Sequence, residues 1–98
     1  MAEIKLELDA RNHGGFNLYD EGTKIGEMVV AITGTTLTVY HTEVDQNQGG
    51  KGYAGLLLNA MVAHARNNGL KVIALCPYVH AQFKRHPDEY NDIWLKQE

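Results

Sequence analysis

Hydrophobic and polar residues alternate along the first half of the chain and then change period. Ile4, Leu6 and Leu8 alternate with Lys5, Glu7 and Asp9, the two-residue period of a strand buried on one face. Asn12-His13-Gly14-Gly15 supplies turn chemistry, and Phe16 and Leu18 mark a second strand. Asp20-Glu21-Gly22-Thr23 reads as the next turn. Lys24 to Thr33 is a third strand built on Met28, Val29, Val30 and Ile32, broken by Gly34. Thr35 to Val44 is a fourth, rich in β-branched residues. Links this short imply an antiparallel meander.

From Gly50 the period lengthens. Tyr53, Leu57, Ala60 or Met61, and His64 recur at helical spacing, and Leu56, Leu58, Val62 and Ala65 widen the apolar arc. Asn67-Asn68-Gly69 is a C-terminal stop, because glycine adopts the left-handed conformation at low cost. Lys71 to Cys76 is a nearly continuous apolar run, the pattern of an interior strand covered on both faces. Strand, helix and strand in that order predict that strands four and five are parallel, with a right-handed crossover. Pro77 suits the first position of a further helix through Arg85, Pro87 ends it, and Asp88 to Trp94 forms a last turn or short helix. The expectation is one α/β domain over residues 1–98: an antiparallel meander joined to a parallel β-α-β unit at strands four and five, with a C-terminal helix.

Composition narrows the partners. A net charge of −3 argues against nucleic acid or an anionic membrane surface. The single cysteine excludes an internal disulfide and fits a reducing compartment. Met1-Ala2-Glu3-Ile4-Lys5 lacks the basic and then apolar pattern of a signal peptide, and no apolar run is long enough to span a bilayer. A cytoplasmic domain is therefore expected. His13, His64, His80 and His86 form no metal-ligand pattern with Cys76, so no metal is expected.

The candidate chemistry sits where strand four gives way to the helix. A strand end, a polar turn and the cluster Gly49-Gly50-Lys51-Gly52-Tyr53-Ala54-Gly55 aim free backbone N–H groups and the positive end of a helix dipole at one point. A phosphate is held there without side-chain charge. Gly50 to Gly55 formally matches the dinucleotide fingerprint G-x-G-x-x-G, but Asp45 to Gln48 intervene after the strand, and the next strand ends in Leu75-Cys76 without the ribose-binding acid. The ATP-binding loop also fails, for no Lys-Ser or Lys-Thr pair follows the glycines.

Gly49-Gly50-Lys51-Gly52-Tyr53-Ala54 resembles the pyrophosphate loop of the GNAT superfamily of N-acetyltransferases. Gly52 and Ala54 match that pattern, whereas Gly49 stands where arginine or glutamine is usual. His41-Thr42-Glu43-Val44 before the loop, with Cys76-Pro77-Tyr78-Val79 and Arg85-His86-Pro87 after it, is similar to the small GNAT branch marked by a glycine loop and a cysteine near the acetyl group. The resemblance implies an acyltransferase that binds acetyl-CoA and CoA and passes acetyl to an unidentified amine, small molecule or protein. It implies the pyrophosphate on residues 49 to 55, the pantetheine arm paired with backbone at Glu43 and Val44, and the thioester near His41, Cys76 and Tyr78.

Two routes follow. Cys76, before Pro77 at a helix start, is a candidate nucleophile, since the dipole there favours an anion; the bland alternative is a small buried hydrophobe. His41 is a candidate base for the thiol or the amine, or simply a strand histidine. Glu43 shares its strand parity and offers a carboxylate that deprotonates an ammonium through water, with direct transfer and no covalent step. A CoA-binding module without efficient catalysis is the alternative function.

Overall fold

The alternating half of the chain folds into four strands and the helical half adds a fifth. The structure, a computed structural model, describes residues 2–48, 50 and 52–96. The elements are β1 (Ala2–Leu8), β2 (His13–Asp20), β3 (Thr23–Thr33), β4 (Thr36–Val44), a 3-10 turn (Gln46–Gln48), α1 (Tyr53–Asn67), β5 (Lys71–Ala74), α2 (Pro77–Arg85) and α3 (Pro87–Tyr90). They form one mixed sheet in the order β1-β2-β3-β4-β5, antiparallel except for β4 and β5. Gly69, at φ +65°, releases the chain from α1 into β5.

Strand parity separates two faces. Phe16, Leu18, Met28, Val30, Leu37, Val39 and Val72 turn inward, where α1 covers them with Leu57, Leu58, Met61, Val62 and Ala65. α2 adds Val79 and Phe83, and Phe83 stacks on Tyr90 with ring centroids 4.7 Å apart. The opposite face carries most of the polar side chains of β1 to β4, with Val29 and Ala31 among them. There the Tyr19 hydroxyl and the Asn17 amide both donate to Glu7 Oε1, at 2.5 and 2.8 Å. These two bonds hold the Glu7 carboxyl below the usual carboxylate range.

His13, Gly14 and Gly15 belong to β2 and not to the turn expected from their composition. The turn is Asp9 to Asn12: the Asp9 carboxylate accepts the backbone N–H of Arg11 and His13, and Asn12 takes φ +61°. The glycines serve close strand approach instead. A Cβ on Gly14 would lie 1.9 Å from the Glu7 carbonyl oxygen, and one on Gly15 would lie 2.7 Å from that of Met28. Gly14→Ala is therefore expected to lower stability by about 1–3 kcal/mol through forced strand separation. Gly55→Ala, whose methyl would enter open space in the first turn of α1, is neutral or stabilising. Urea unfolding of the two variants checks both signs.

β5 also departs from expectation. It is the last full strand of the sheet, not an interior one. Among the described residues its outer edge meets only a short C-terminal bridge, in which Val72 donates to the Ile93 carbonyl (2.7 Å) and Leu95 donates to that of Val72 (2.8 Å). The apolar run misled because Val72 and Cys76 are core residues, whereas Leu75, between the two, is 56% exposed. Arg66 ties the C-terminal segment back to α1 through Asp92 (2.9 Å) and the Glu89 carbonyl, and it holds the Asp92 carboxyl below its usual range. Among the described residues, no helix is long and apolar enough to cross a membrane.

Candidate active site

β4 and β5 pair only as far as Val39 and Ala74. Beyond that point Leu75 and Cys76 both donate their backbone N–H to the Val39 carbonyl, at 3.0 and 2.9 Å. The chain then turns away into α2, while β4 continues to Val44 bonded to β3 alone. The two parallel strands thus splay, and among the described residues no strand meets the edge of β4 from Tyr40 to Val44.

The splay coincides with a bulge. His41 lies opposite Val29 and Val39 opposite Val30, so Tyr40 is the extra residue, and its side chain is 50% exposed. One added residue shifts every following side chain to the other face. Leu37 and Val39 point inward before the bulge; after it Thr42, opposite the buried Met28, and half-buried Val44 take the inner face. His41 and Glu43 are both exposed and leave on the outer face.

Cys76 is the N-cap of α2 and only 2% exposed. Its thiol donates to the Thr42 hydroxyl oxygen at 3.3 Å across the splay. Half-buried Tyr78 follows at the second position of α2. Burial, and secondarily the nearby Cys76, push its phenol above the ordinary value, so it stays a neutral donor at neutral pH. The structure therefore joins Cys76 to Thr42 on one side of β4 and sets His41 and Glu43 on the other. Thr42 was invisible as a partner because threonine in a strand reads as β-propensity. The available signal was the parity slip itself: Leu37 and Val39 are odd-numbered inward residues, and Val44 is even.

At the far end of β4 the glycine loop leads into α1. Gly50 and Gly52 adopt φ +82° and +74°, which glycine alone takes without strain. Gly52 caps α1 with no side-chain bond to the helix amides, and Leu56 is the first residue to donate to its carbonyl, at 3.2 Å. Among the described residues, the N–H groups of Tyr53, Ala54 and Gly55 therefore have no partner, and no acid lies in the first turn. Orphan donors, a positive dipole end and no competing carboxylate together fit an anionic ligand. Gly49 and Lys51, the other expected loop residues, lie outside the described residues. No group of three metal-ligating side chains occurs among the described residues; His64 instead packs edge-on against Phe16, with centroids 5.8 Å apart.

Known proteins share this fold. The family model of GCN5-related N-acetyl-transferase matches residues 15–93. The NMR solution structure of a GCN5-like protein from Staphylococcus aureus is 33% identical, covers 98% of this chain and 90% of its own, and superposes with a TM-score of 0.70. A ribosomal-protein-alanine N-acetyltransferase from Brucella melitensis biovar Abortus 2308 shares the fold at 18% identity and TM-score 0.63, over 92% of this chain and 66% of that one. A GNAT family acetyltransferase from Elizabethkingia anophelis, solved with acetyl-CoA bound, does so at 16% identity and TM-score 0.59, over 80% of this chain and 53% of that one. This chain thus spans about half to two thirds of those two longer proteins. No curated protein matches it significantly. With the family model matched over most of its length and the mixed, splayed sheet beneath it, this chain belongs to the GCN5-related N-acetyltransferase family and is a GNAT-type acyltransferase.

Proposed function

We propose that the protein binds acetyl-CoA along the outer half of β4 and passes the acetyl group directly to an amine. The observation that carries this reading is the splay itself: among the described residues, an unpaired strand edge with free α1 amides at its foot. The pyrophosphate sits on the backbone of Gly50, Gly52, Tyr53, Ala54 and Gly55. The pantetheine arm lies beside Glu43 and Val44 as a pseudo-strand, which brings the thioester level with His41 and Cys76.

The amine then arrives from the outer face. Its nitrogen attacks the thioester carbonyl carbon, the C–N bond forms, the C–S bond breaks, and CoA leaves as the thiolate. His41, nearer the splay than Glu43, takes the proton released by the nitrogen. The neutral phenol of Tyr78 is a hydrogen-bond donor for the departing sulfur. Direct transfer is favoured over an acetyl-Cys76 intermediate because the thiol is buried and engaged with Thr42, on the face of β4 opposite both candidate bases. Cys76 and Thr42 then close the inner wall against water.

Calorimetric titration tests the binding half of the reading. Acetyl-CoA is expected to bind saturably, and NAD not at all. Gly52→Val, which forces a β-branched residue toward the left-handed region at a cost of about 1–2 kcal/mol, is expected to weaken acetyl-CoA binding by roughly tenfold or more while leaving the fold intact. Absence of acetyl-CoA binding would overturn the reading. Firm binding with no turnover of any amine would leave a CoA-holding module.

A further inference from the structure

We propose that the cleft beyond β5 docks an extended peptide that carries acidic side chains around an apolar one. This inference concerns binding alone and stands apart from acetyl transfer.

The backbone supplies the first argument. Lys71 and Leu75 donate toward β4, to the carbonyls of Thr35 (2.8 Å) and Val39 (3.0 Å). Alternation then turns the N–H and C=O of Val72 and Ala74 to the outer edge. Val72 is bonded there by the C-terminal segment; among the described residues nothing meets Ala74. A strand edge with one pair still open is a template for an added strand.

The side chains around that edge supply the second. Ala74 lines a cleft of about 710 Å³ between β5, α2 and the C-terminal segment. Its apolar wall includes Leu75 and Leu95, which are 56% and 40% exposed. Large aliphatic side chains left open beside an unpaired edge suit an apolar side chain of the added strand. Trp94 forms the floor, edge-on to His80 with centroids 5.8 Å apart and to Phe83 at 5.7 Å.

Charge chooses the occupant. Lys84 and Lys96 line the cleft and, among the described residues, no carboxylate does. Lys96 Nζ stands 5.0 Å over the Trp94 ring. The neighbouring Asp92 is taken by Arg66 on the far side of the segment. A cationic cleft on a chain of net charge −3 is complementary to an acidic peptide and repels a basic one.

The test uses the wild-type chain without acetyl-CoA, and Trp94, its single tryptophan, as reporter. The probes are two end-blocked heptapeptides, one alternating glutamate with leucine and one alternating lysine with leucine. The glutamate peptide is expected to change Trp94 emission saturably, to shift the amide resonances of Ala74, Leu75 and Leu95, and to slow hydrogen exchange at Ala74. The lysine peptide is expected to bind at least about tenfold more weakly. Charge reversal by Lys84→Glu with Lys96→Glu should invert that preference, and Leu75→Glu, at an exposed position, should remove binding of the glutamate peptide from a folded protein. Equal binding of the two peptides, no binding of either, resonance shifts confined to other surfaces, or self-association of the free protein through β5 would each overturn the proposal.

Discussion

Truncation of Phe83 to alanine is expected to lower the unfolding free energy by about 3–5 kcal/mol, the range for deleting a fully buried aromatic side chain. Phe83 has no exposed surface. Its ring stacks on Tyr90 at 4.7 Å and meets Trp94 at 5.7 Å, so it joins α2, α3 and the last described residues to the sheet. Little else does. The backbone of the C-terminal segment bridges β5 at Val72, and its clamp by Arg66 is solvent-exposed, where an ion pair contributes at most about 1 kcal/mol. A loss of that size displaces the melting temperature of a domain this small by roughly 12 °C or more. Urea unfolding followed through Trp94 measures it, because the reporter lies against the cavity. A change below about 1 kcal/mol would mean that the C-terminal elements are not part of the cooperative core.

Replacement of His41 by alanine is expected to lower kcat by about 10²–10⁴, the span for loss of a general base, while acetyl-CoA affinity stays within twofold or so of the wild type. The argument is placement. His41 follows the bulge and leaves β4 on the outer face, the side from which the acceptor arrives in the proposed direct transfer. Glu43→Gln, one step further toward the loop, is expected to cost less. Cys76→Ala removes a buried thiol bonded to Thr42 and is expected to reduce turnover by no more than about tenfold. CoA release with a panel of amines gives the rates, and intact-mass spectrometry after mixing with acetyl-CoA reports any acetyl adduct. An adduct on the wild-type protein, lost together with all turnover in Cys76→Ala, would establish the covalent route and displace His41 from its role.

Much of this architecture was legible in residue order. Ile4, Leu6 and Leu8, then the helical spacing from Tyr53, carried the meander, the crossover and the parallel pairing of β4 and β5, because side-chain period is a local property. The position of a strand within a sheet is not local. Lys71 to Cys76 reads the same whether its outer edge is paired or open, and β5 turned out to close the sheet. Gly14 and Gly15 show a related ambiguity: freedom for a turn and room for a neighbouring backbone call for the same residue. The glycine loop and Cys76 were visible as chemistry. The Thr42 contact depends on a bulge that no single residue announces.

That bulge has a consequence for how the chain tolerates change. Upstream of Tyr40 the odd-numbered residues of β4 build the core, and downstream the even-numbered ones do. Tyr40 thus acts as a frameshift written into the strand, and the interior and the working surface are two reading frames of one ribbon. Deleting that single residue would leave His41 directly after Val39, still opposite Val29, and Thr42 still opposite Met28. Both faces would survive, and the local bend and twist of the bulge would be lost. Substitution at Tyr40 would keep the bend as well, because what this position contributes first is an extra length of backbone.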